Sequence, residues 1–230
     1  MPTTAILTAG GIGSRMQNNI PKQFLTVNDI PIVIYTLQKF QNNKDIDRII
    51  IACIEDWQPV LRAYSKEFNI SKLDTIVSGG ATGIESIKNA YKEVDEGSIV
   101  LIHDGNRPLV DDEIISQSIK SAVEVGATTA YVDIHDGIIK VDEGLNITDT
   151  KLDRSQVKTT QTPHAFTYET LAQIFPKIDD PEKYISLADA AAKLGFDVAL
   201  VKGSEINFKI TTKSDLSMFE SIINARFGNV

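Results

Sequence analysis

The chain has one cysteine and three histidines among its 230 residues, and each scarcity removes a class of chemistry. A lone cysteine forms no intramolecular disulfide, and Cys53 sits inside the apolar run 49–54, where burial is the plain reading. Histidines at 103, 135 and 164 are too scattered for the spacing of a zinc site. No apolar stretch approaches the roughly 20 residues of a membrane span, and the N-terminus lacks the basic region of a secretory leader, so a soluble cytoplasmic protein is expected. Basic excess is missing too. With 31 acidic against 23 basic residues and a formal net charge of -8, the surface is unsuited to general nucleic-acid or anionic-membrane binding, which leaves small partners held in a local basic pocket. There is no internal repeat, low-complexity tract or Pro/Gly-rich linker, so residues 1–230 read as one domain, and 42% hydrophobic content suffices for a substantial core.

What is present is concentrated near the start. Ala5-Ile6-Leu7-Thr8-Ala9 is a short apolar run that delivers Gly10-Gly11-Ile12-Gly13-Ser14-Arg15-Met16, followed by Pro21-Lys22-Gln23-Phe24-Leu25. A buried strand ending in glycines exposes backbone N–H groups that can surround a phosphate chain. Arg15 offers a fork of charge-assisted hydrogen bonds to phosphate, and Lys22 a compact second charge. Neither standard fingerprint fits: Met16 occupies the last glycine position of G-x-G-x-x-G, and G-x-x-x-x-G-K-[ST] is absent. On glycine content alone, a tight strand-to-helix turn is an equal reading.

Apolar runs at 5–7, 49–54, 75–77, 99–102 and 129–132 alternate with segments of helical period, among them 31–40 with Ile34, Leu37 and Phe40 on one face, and 216–227. The alternation predicts an α/β fold with a largely parallel sheet. In such sheets ligands sit at the carboxyl ends of strands. The glycine loop, Gly79-Gly80 and His103-Asp104 all follow predicted strands, so they are expected on one rim. Trp57 reads as satellite core, and Asp136-Gly137 between apolar runs as a β-hairpin turn. Asp104, a carboxylate at a strand end, suits Mg²⁺ or caps the next turn.

The combination G-G-x-G-x-R-M then P-K-Q-F-L resembles the signature of sugar- and polyol-phosphate nucleotidyltransferases, and within them the cytidylyltransferases that include the methylerythritol-phosphate and ribitol-5-phosphate enzymes. The resemblance continues through Gly79-Gly80 with Ser86, through His103-Asp104-Gly105-Asn106-Arg107-Pro108, through Asp153-Arg154 and Gln161-Thr162-Pro163, and through Asn207-Phe208-Lys209-Ile210-Thr211. It implies a three-layer Rossmann-like fold with a protruding β-arm at about 134–147. It also implies a nucleotide site made by Thr8, Ala9, Gly10, Gly11, Gly13, Gly79, Gly80, Ser86 and Gly105, with Arg15, Lys22 and Lys209 as catalytic cations. Asp104, Arg107, Asp136, Arg154 and Thr162 are implied for the acceptor, Mg²⁺ on Asp104 as cofactor, and a homodimer as the active unit. Three departures stand out. Gly83 occupies the family's arginine position, Gly137 its threonine position on the arm, and His164 a common glutamine position. Arg154 also reads as a surface ion-pair partner of Asp153 or Asp149.

The implied reaction joins CTP and a polyol phosphate into a CDP-polyol and pyrophosphate. The acceptor phosphate is already an anionic nucleophile, so the task is to bring two anions together and stabilise charge at the α-phosphate. A ribitol-5-phosphate-type acceptor is favoured by Ile6-Leu7-Thr8-Ala9-Gly10-Gly11 and by the Lys209 segment. The methylerythritol-phosphate enzyme is the alternative, and a nucleotide-binding regulatory protein without catalysis is the reading from another class.

Overall fold

The computed structural model describes residues 1–11, 20–149 and 153–227. Gly13 and Arg15 lie outside the described residues. The first half of the chain gives β1 (Thr3–Ala9), the short strands β2 (Thr26–Val27) and β3 (Ile30–Pro31), α1 (Ile32–Asn42), β4 (Arg48–Cys53), α2 (Gln58–Glu67), β5 (Leu73–Ser78), α3 (Gly83–Tyr91) and β6 (Ile99–Asp104). There follow α4 (Asp112–Val125), β7 (Ala127–Asp133), β8 (Lys140–Val141), β9 (Ile147–Asp149), β10 (Lys158–Thr167), α5 (Tyr168–Ile174), α6 (Leu187–Lys193), β11 (Ala199–Lys202) and α7 (Lys213–Phe227).

Seven strands form one sheet in the order β11-β7-β10-β6-β1-β4-β5. Every pairing is parallel except those of β10, which runs against both β6 and β7. Residues adjacent in a strand point to opposite faces, so the isoleucine-rich runs serve two cores at once. Leu7, Ile49, Ile51 and Leu101 pack with Ile34, Leu37 and Phe40 of α1 and Leu61 of α2. Ile6, Ile50, Val100 and Ile102 face the other way, against Ile84 and Ile87 of α3, Leu171 of α5 and Ala190 of α6. The result is the three-layer α/β arrangement expected. Against α1, Phe219 and Ile223 of α7 dock through an edge-on contact of Phe219 with Tyr35, ring centroids 5.2 Å apart. Trp57 is satellite core, its ring 4.5 Å from that of Phe24. No helix among the described residues is long and apolar enough to cross a membrane.

Two elements depart from the sequence reading. β10 is a central strand although its sequence, Lys-Thr-Thr-Gln-Thr-Pro-His-Ala-Phe-Thr, carries no apolar run in its first half. The proline is accommodated because the register of β10 on β7 breaks between Gln161 and His164, where no ladder N–H is needed. The hairpin turn is not at Asp136-Gly137. The paired strands are β8 and β9, with Lys140 opposite Asp149 and Val141 opposite Ile147, and the chain reverses over residues 142–146. There the Asp142 side chain accepts hydrogen bonds from the N–H groups of Gly144 (2.9 Å) and Asn146 (2.8 Å), while Leu145 takes φ +62°. An aspartate that bonds its own turn fixed the reversal more firmly than an Asp-Gly pair without flanking partners.

Candidate active site

The carboxyl ends of β1, β4, β5 and β6 lie side by side, and glycines let their loops approach closely. Gly79 donates its N–H to the Cys53 carbonyl at 2.9 Å. A side chain on Gly79 would come within 3.6 Å of the Gly10 Cα, so the two glycine loops stand backbone to backbone. Gly80 has the strictest requirement, since a Cβ there would fall 2.4 Å from the Glu85 Cβ. Thr82 and Glu85 form a reciprocal cap at the start of α3, each side chain binding the other's N–H. Ser86 ties the loop shut: its Oγ accepts from the Gly80 N–H at 2.9 Å and donates to the Thr82 carbonyl at 2.9 Å. Gly105 is a packing glycine, its N–H on the Thr8 carbonyl at 2.9 Å and any Cβ within 2.9 Å of the same oxygen.

These loops enclose a cavity of about 230 Å³ lined by Thr8, Ala9, Gly10, Gly11, Lys22, Gln23, Gly80, Ser86, Asp104 and Lys209, among others. Lys22 enters from the 3-10 turn Lys22–Phe24. That turn is anchored by buried Gln23, whose Nε2 donates to the Ala9 carbonyl at 2.5 Å.

A second cavity, of about 470 Å³, opens on the other side of Asp104 and Lys209. It is floored by Ile102 and His164, with Thr160, Gln161 and Thr162 along β10, and walled by Ile84 and Ile87 of α3 and by Tyr184, Ile185 and Leu187. Thr8, Thr82, Gly83, Asp104 and Lys209 line both cavities. The sequence reading missed the wall from Pro181 to Leu187, because its residues carry no charge pattern or motif. It quoted Gln161 only as part of a motif and assigned neither it nor Thr160 to the site.

The junction is electrostatically defined. Asp104 Oδ1 lies 2.9 Å from Lys209 Nζ and Oδ2 2.9 Å from Arg107 Nε. Burial by itself pushes the Asp104 carboxyl up, but Lys209 and Arg107 outweigh it and hold the group well below the usual carboxylate range. Arg107 also donates from Nη1 to the Asn207 carbonyl at 2.8 Å. Behind the pair, His103 is fully buried, and desolvation pushes its imidazole down to about 4. Neutral His103 has one arrangement that satisfies its neighbours. Its Nε2–H donates to the Arg107 carbonyl (3.0 Å), and its Nδ1 accepts from the Thr162 hydroxyl (3.0 Å), which itself accepts from the Asp104 N–H (3.1 Å). The Thr162 hydroxyl is therefore engaged inside the protein. Lys209 is positioned by a two-way clasp in which Ile210 donates to the Asn106 carbonyl at 2.9 Å and Asn106 Nδ2 donates to the Ile210 carbonyl at 2.6 Å.

Arg154 and Asp136 are elsewhere. Arg154 starts a 3-10 turn at the base of the arm and donates from Nη1 to the His135 carbonyl at 2.7 Å. Asp136 is exposed on the arm, and neither residue lines either cavity of its own chain.

Two chambers that share Asp104 and Lys209 in their linings suit a two-substrate transferase, and the glycine backbone of the smaller one suits a nucleotide's phosphates. A sequence model of the 2-C-methyl-D-erythritol 4-phosphate cytidylyltransferase (IspD) family matches residues 3–225. The chain belongs to this family of cytidylyltransferases, enzymes of the nucleotidyltransferase class. It is 37% identical over 230 residues to a ribitol-5-phosphate cytidylyltransferase of Vibrio parahaemolyticus, covering 96% of each chain. It is also 37% identical over 221 residues to a 2-C-methyl-D-erythritol 4-phosphate cytidylyltransferase of Clostridium novyi, covering 95% of each. In fold it resembles the crystal structure of 4-diphosphocytidyl-2C-methyl-D-erythritol synthase from Anaerococcus prevotii, with a TM-score of 0.83, 24% identity, and coverage of 97% of this chain and 96% of that one.

Proposed function

We propose that the chain transfers CMP from CTP to a polyol phosphate of the ribitol 5-phosphate type, releasing pyrophosphate. The observation that carries this reading is the junction of the two chambers at Lys209 and Asp104. Several of the relatives of known name, at 32–37% identity, are ribitol-5-phosphate cytidylyltransferases. The methylerythritol-phosphate acceptor is the second reading, favoured by the family match and by the Clostridium relative.

CTP would lie in the smaller chamber with its base against the Gly79-Gly80 loop and its phosphates toward Lys22. The acceptor enters the larger chamber with its phosphate at Lys209. An acceptor phosphate oxygen attacks the α-phosphorus, and the bond from that phosphorus to the bridging oxygen of pyrophosphate breaks. No base is needed, because the nucleophile is already ionised; Lys209 offsets the repulsion between the two phosphates and Lys22 the charge gathering on pyrophosphate.

Among the described residues no group of three or more metal-ligating side chains exists. Asp104 is ionised, and each of its oxygens accepts one cation bond and keeps a lone pair, so it fits as a single protein ligand to an ion that arrives with the nucleotide. Mg²⁺ held there would neutralise triphosphate charge.

The arm supports a homodimer. β8 and β9 form an isolated two-stranded sheet that leaves Ile139, Val141, Leu145 and Ile147 exposed, and such a hairpin is marginal in water unless it packs on something. A two-fold arrangement would let each arm, with Asp136 and Arg154 at its base, close the neighbour's larger chamber. Pyrophosphate release with CTP and a panel of ribitol 5-phosphate, methylerythritol 4-phosphate and glycerol 3-phosphate tests the reading. No release with any of them overturns it.

A further inference from the structure

His164 is 4% exposed and lines the larger chamber, where the paired strands place it beside Ile102 of β6. That is two residues back from Asp104 along the strand, roughly 6–7 Å deeper than the charged junction. One ring nitrogen is anchored, Nδ1 to the Thr129 hydroxyl at 2.8 Å. The other, Nε2, has no hydrogen-bond partner among the described residues, whereas the side chains of Thr160 and Gln161 beside it on β10 are engaged. Thr160 Oγ1 lies 3.0 Å from the Thr129 hydroxyl, and Gln161 joins the Ser204 carbonyl and Asn207. Nε2 is not sealed from the chamber, so a group that enters it can supply the missing partner.

We propose that Nε2 of His164 binds a hydroxyl of the acceptor's carbon chain and makes His164 a specificity-determining residue for polyhydroxylated phosphates. The inference rests on the proposed acceptor class and names the group that reads its hydroxyls. Three features select an alcohol. Desolvation pushes the imidazole down to about 4, so the ring is neutral and offers no charge to a second phosphate. Thr129 can donate to Nδ1 or accept from it, leaving Nε2 as a donor in one tautomer and an acceptor in the other, and a hydroxyl is complementary to both. The depth matches as well: a phosphate held at Lys209 leaves the carbon chain pointing toward the floor, between the apolar Ile84 and Leu187 and the His164 ring.

The test compares steady-state kinetics of the full chain, His164→Leu and His164→Gln with CTP and ribitol 5-phosphate, with glycerol 3-phosphate as a shorter acceptor. Loss of one hydrogen bond should raise the ribitol 5-phosphate KM of His164→Leu by about 3- to 10-fold. KM for CTP and for glycerol 3-phosphate should stay unchanged, and His164→Gln, which keeps a polar head, should recover part of the loss. An unchanged ribitol 5-phosphate KM in folded His164→Leu overturns the inference while leaving the proposed function intact. So does an equal rise for all three substrates. If the unaltered chain turns over no polyol phosphate, the acceptor reading itself fails. The inference is then decided by the ¹⁵N resonance of His164 Nε2 on adding ribitol 5-phosphate with CTP: a shift supports it, and no shift overturns it.

Discussion

Lys209 and Asp104 stand 105 residues apart in sequence and 2.9 Å apart in space, and both border the two chambers. In the proposed reaction the carboxylate holds the ammonium at the point where the two anionic substrates would meet. Removing that ammonium takes away charge stabilisation at the reacting phosphorus and leaves Asp104 with Arg107 alone. Lys209→Ala should lower kcat by about 10²–10³-fold, the range seen when one preorganised transition-state donor is lost. A pyrophosphate-release assay on folded protein checks it.

Lys22→Ala should cost a similar factor through the leaving pyrophosphate, and Arg15→Ala likewise. In the Lys22 variant the melting temperature should stay near that of the parent, because that side chain does not belong to the apolar cores. Near-normal turnover in both would remove them from the mechanism.

Acid should destabilise the protein early. His103 and His164 are buried and neutral, each pushed down from 6.5 to about 4 by desolvation. Between those values the unfolded chain binds protons that the folded one refuses. The stability they permit is complete above about pH 6.5 and is lost as pH falls toward 4, at about 1.4 kcal/mol per pH unit for each histidine. Asp104, held below the usual carboxylate range, adds its loss only at lower pH. Melting temperatures recorded from pH 8 to pH 4 should fall below pH 6.5, and less steeply in His164→Gln. A flat curve down to pH 5 would contradict the burial of both rings.

Two glycines of the second loop should differ in their response to substitution. Gly80→Ala drives a methyl into Glu85 and opens the Thr82–Glu85 cap, so CTP affinity should drop and stability should fall by about 1–3 kcal/mol. Gly83 has no atom within 4 Å of where its Cβ would stand, and Gly83→Arg should change stability by no more than about 0.5 kcal/mol. Calorimetric titration with CTP and thermal melts separate the two.

Deleting residues 136–147 should leave CTP binding intact, because both glycine loops lie elsewhere, while abolishing dimerisation and acceptor-dependent turnover. Light scattering and the pyrophosphate assay decide it. A fully active monomer would make the arm dispensable.

The parallel half of the sheet was legible because Ile49–Ile51 and Ile99–Ile102 are apolar on both faces, and the second of these runs ends at the rim in Asp104 and Gly105. β10 was not. Its buried Gln161, Thr162 and His164 are held by hydrogen bonds to Asn207, His103 and Thr129 on neighbouring segments, a form of burial that hydrophobic periodicity does not register. The Thr162 position was recognisable from its motif, but the engagement of its hydroxyl with His103 was not, since that depends on the pairing of β10 with β6. The wall from Pro181 to Leu187 reaches the chamber only through the packing of α6 beneath the sheet.

The sheet order also sets when the enzyme becomes competent during synthesis. Strands β5, β4, β1 and β6 are contiguous in the sheet and drawn from the first 104 residues, so the glycine-lined chamber has most of its walls before the chain is half made. β10 must then be inserted antiparallel between β6 and β7, and Lys209 arrives last of all. Contacts of such long sequence separation close slowly. On the proposed reading, a ribosome-bound chain therefore holds its nucleotide cradle well before it carries the ammonium that would connect the cradle to chemistry.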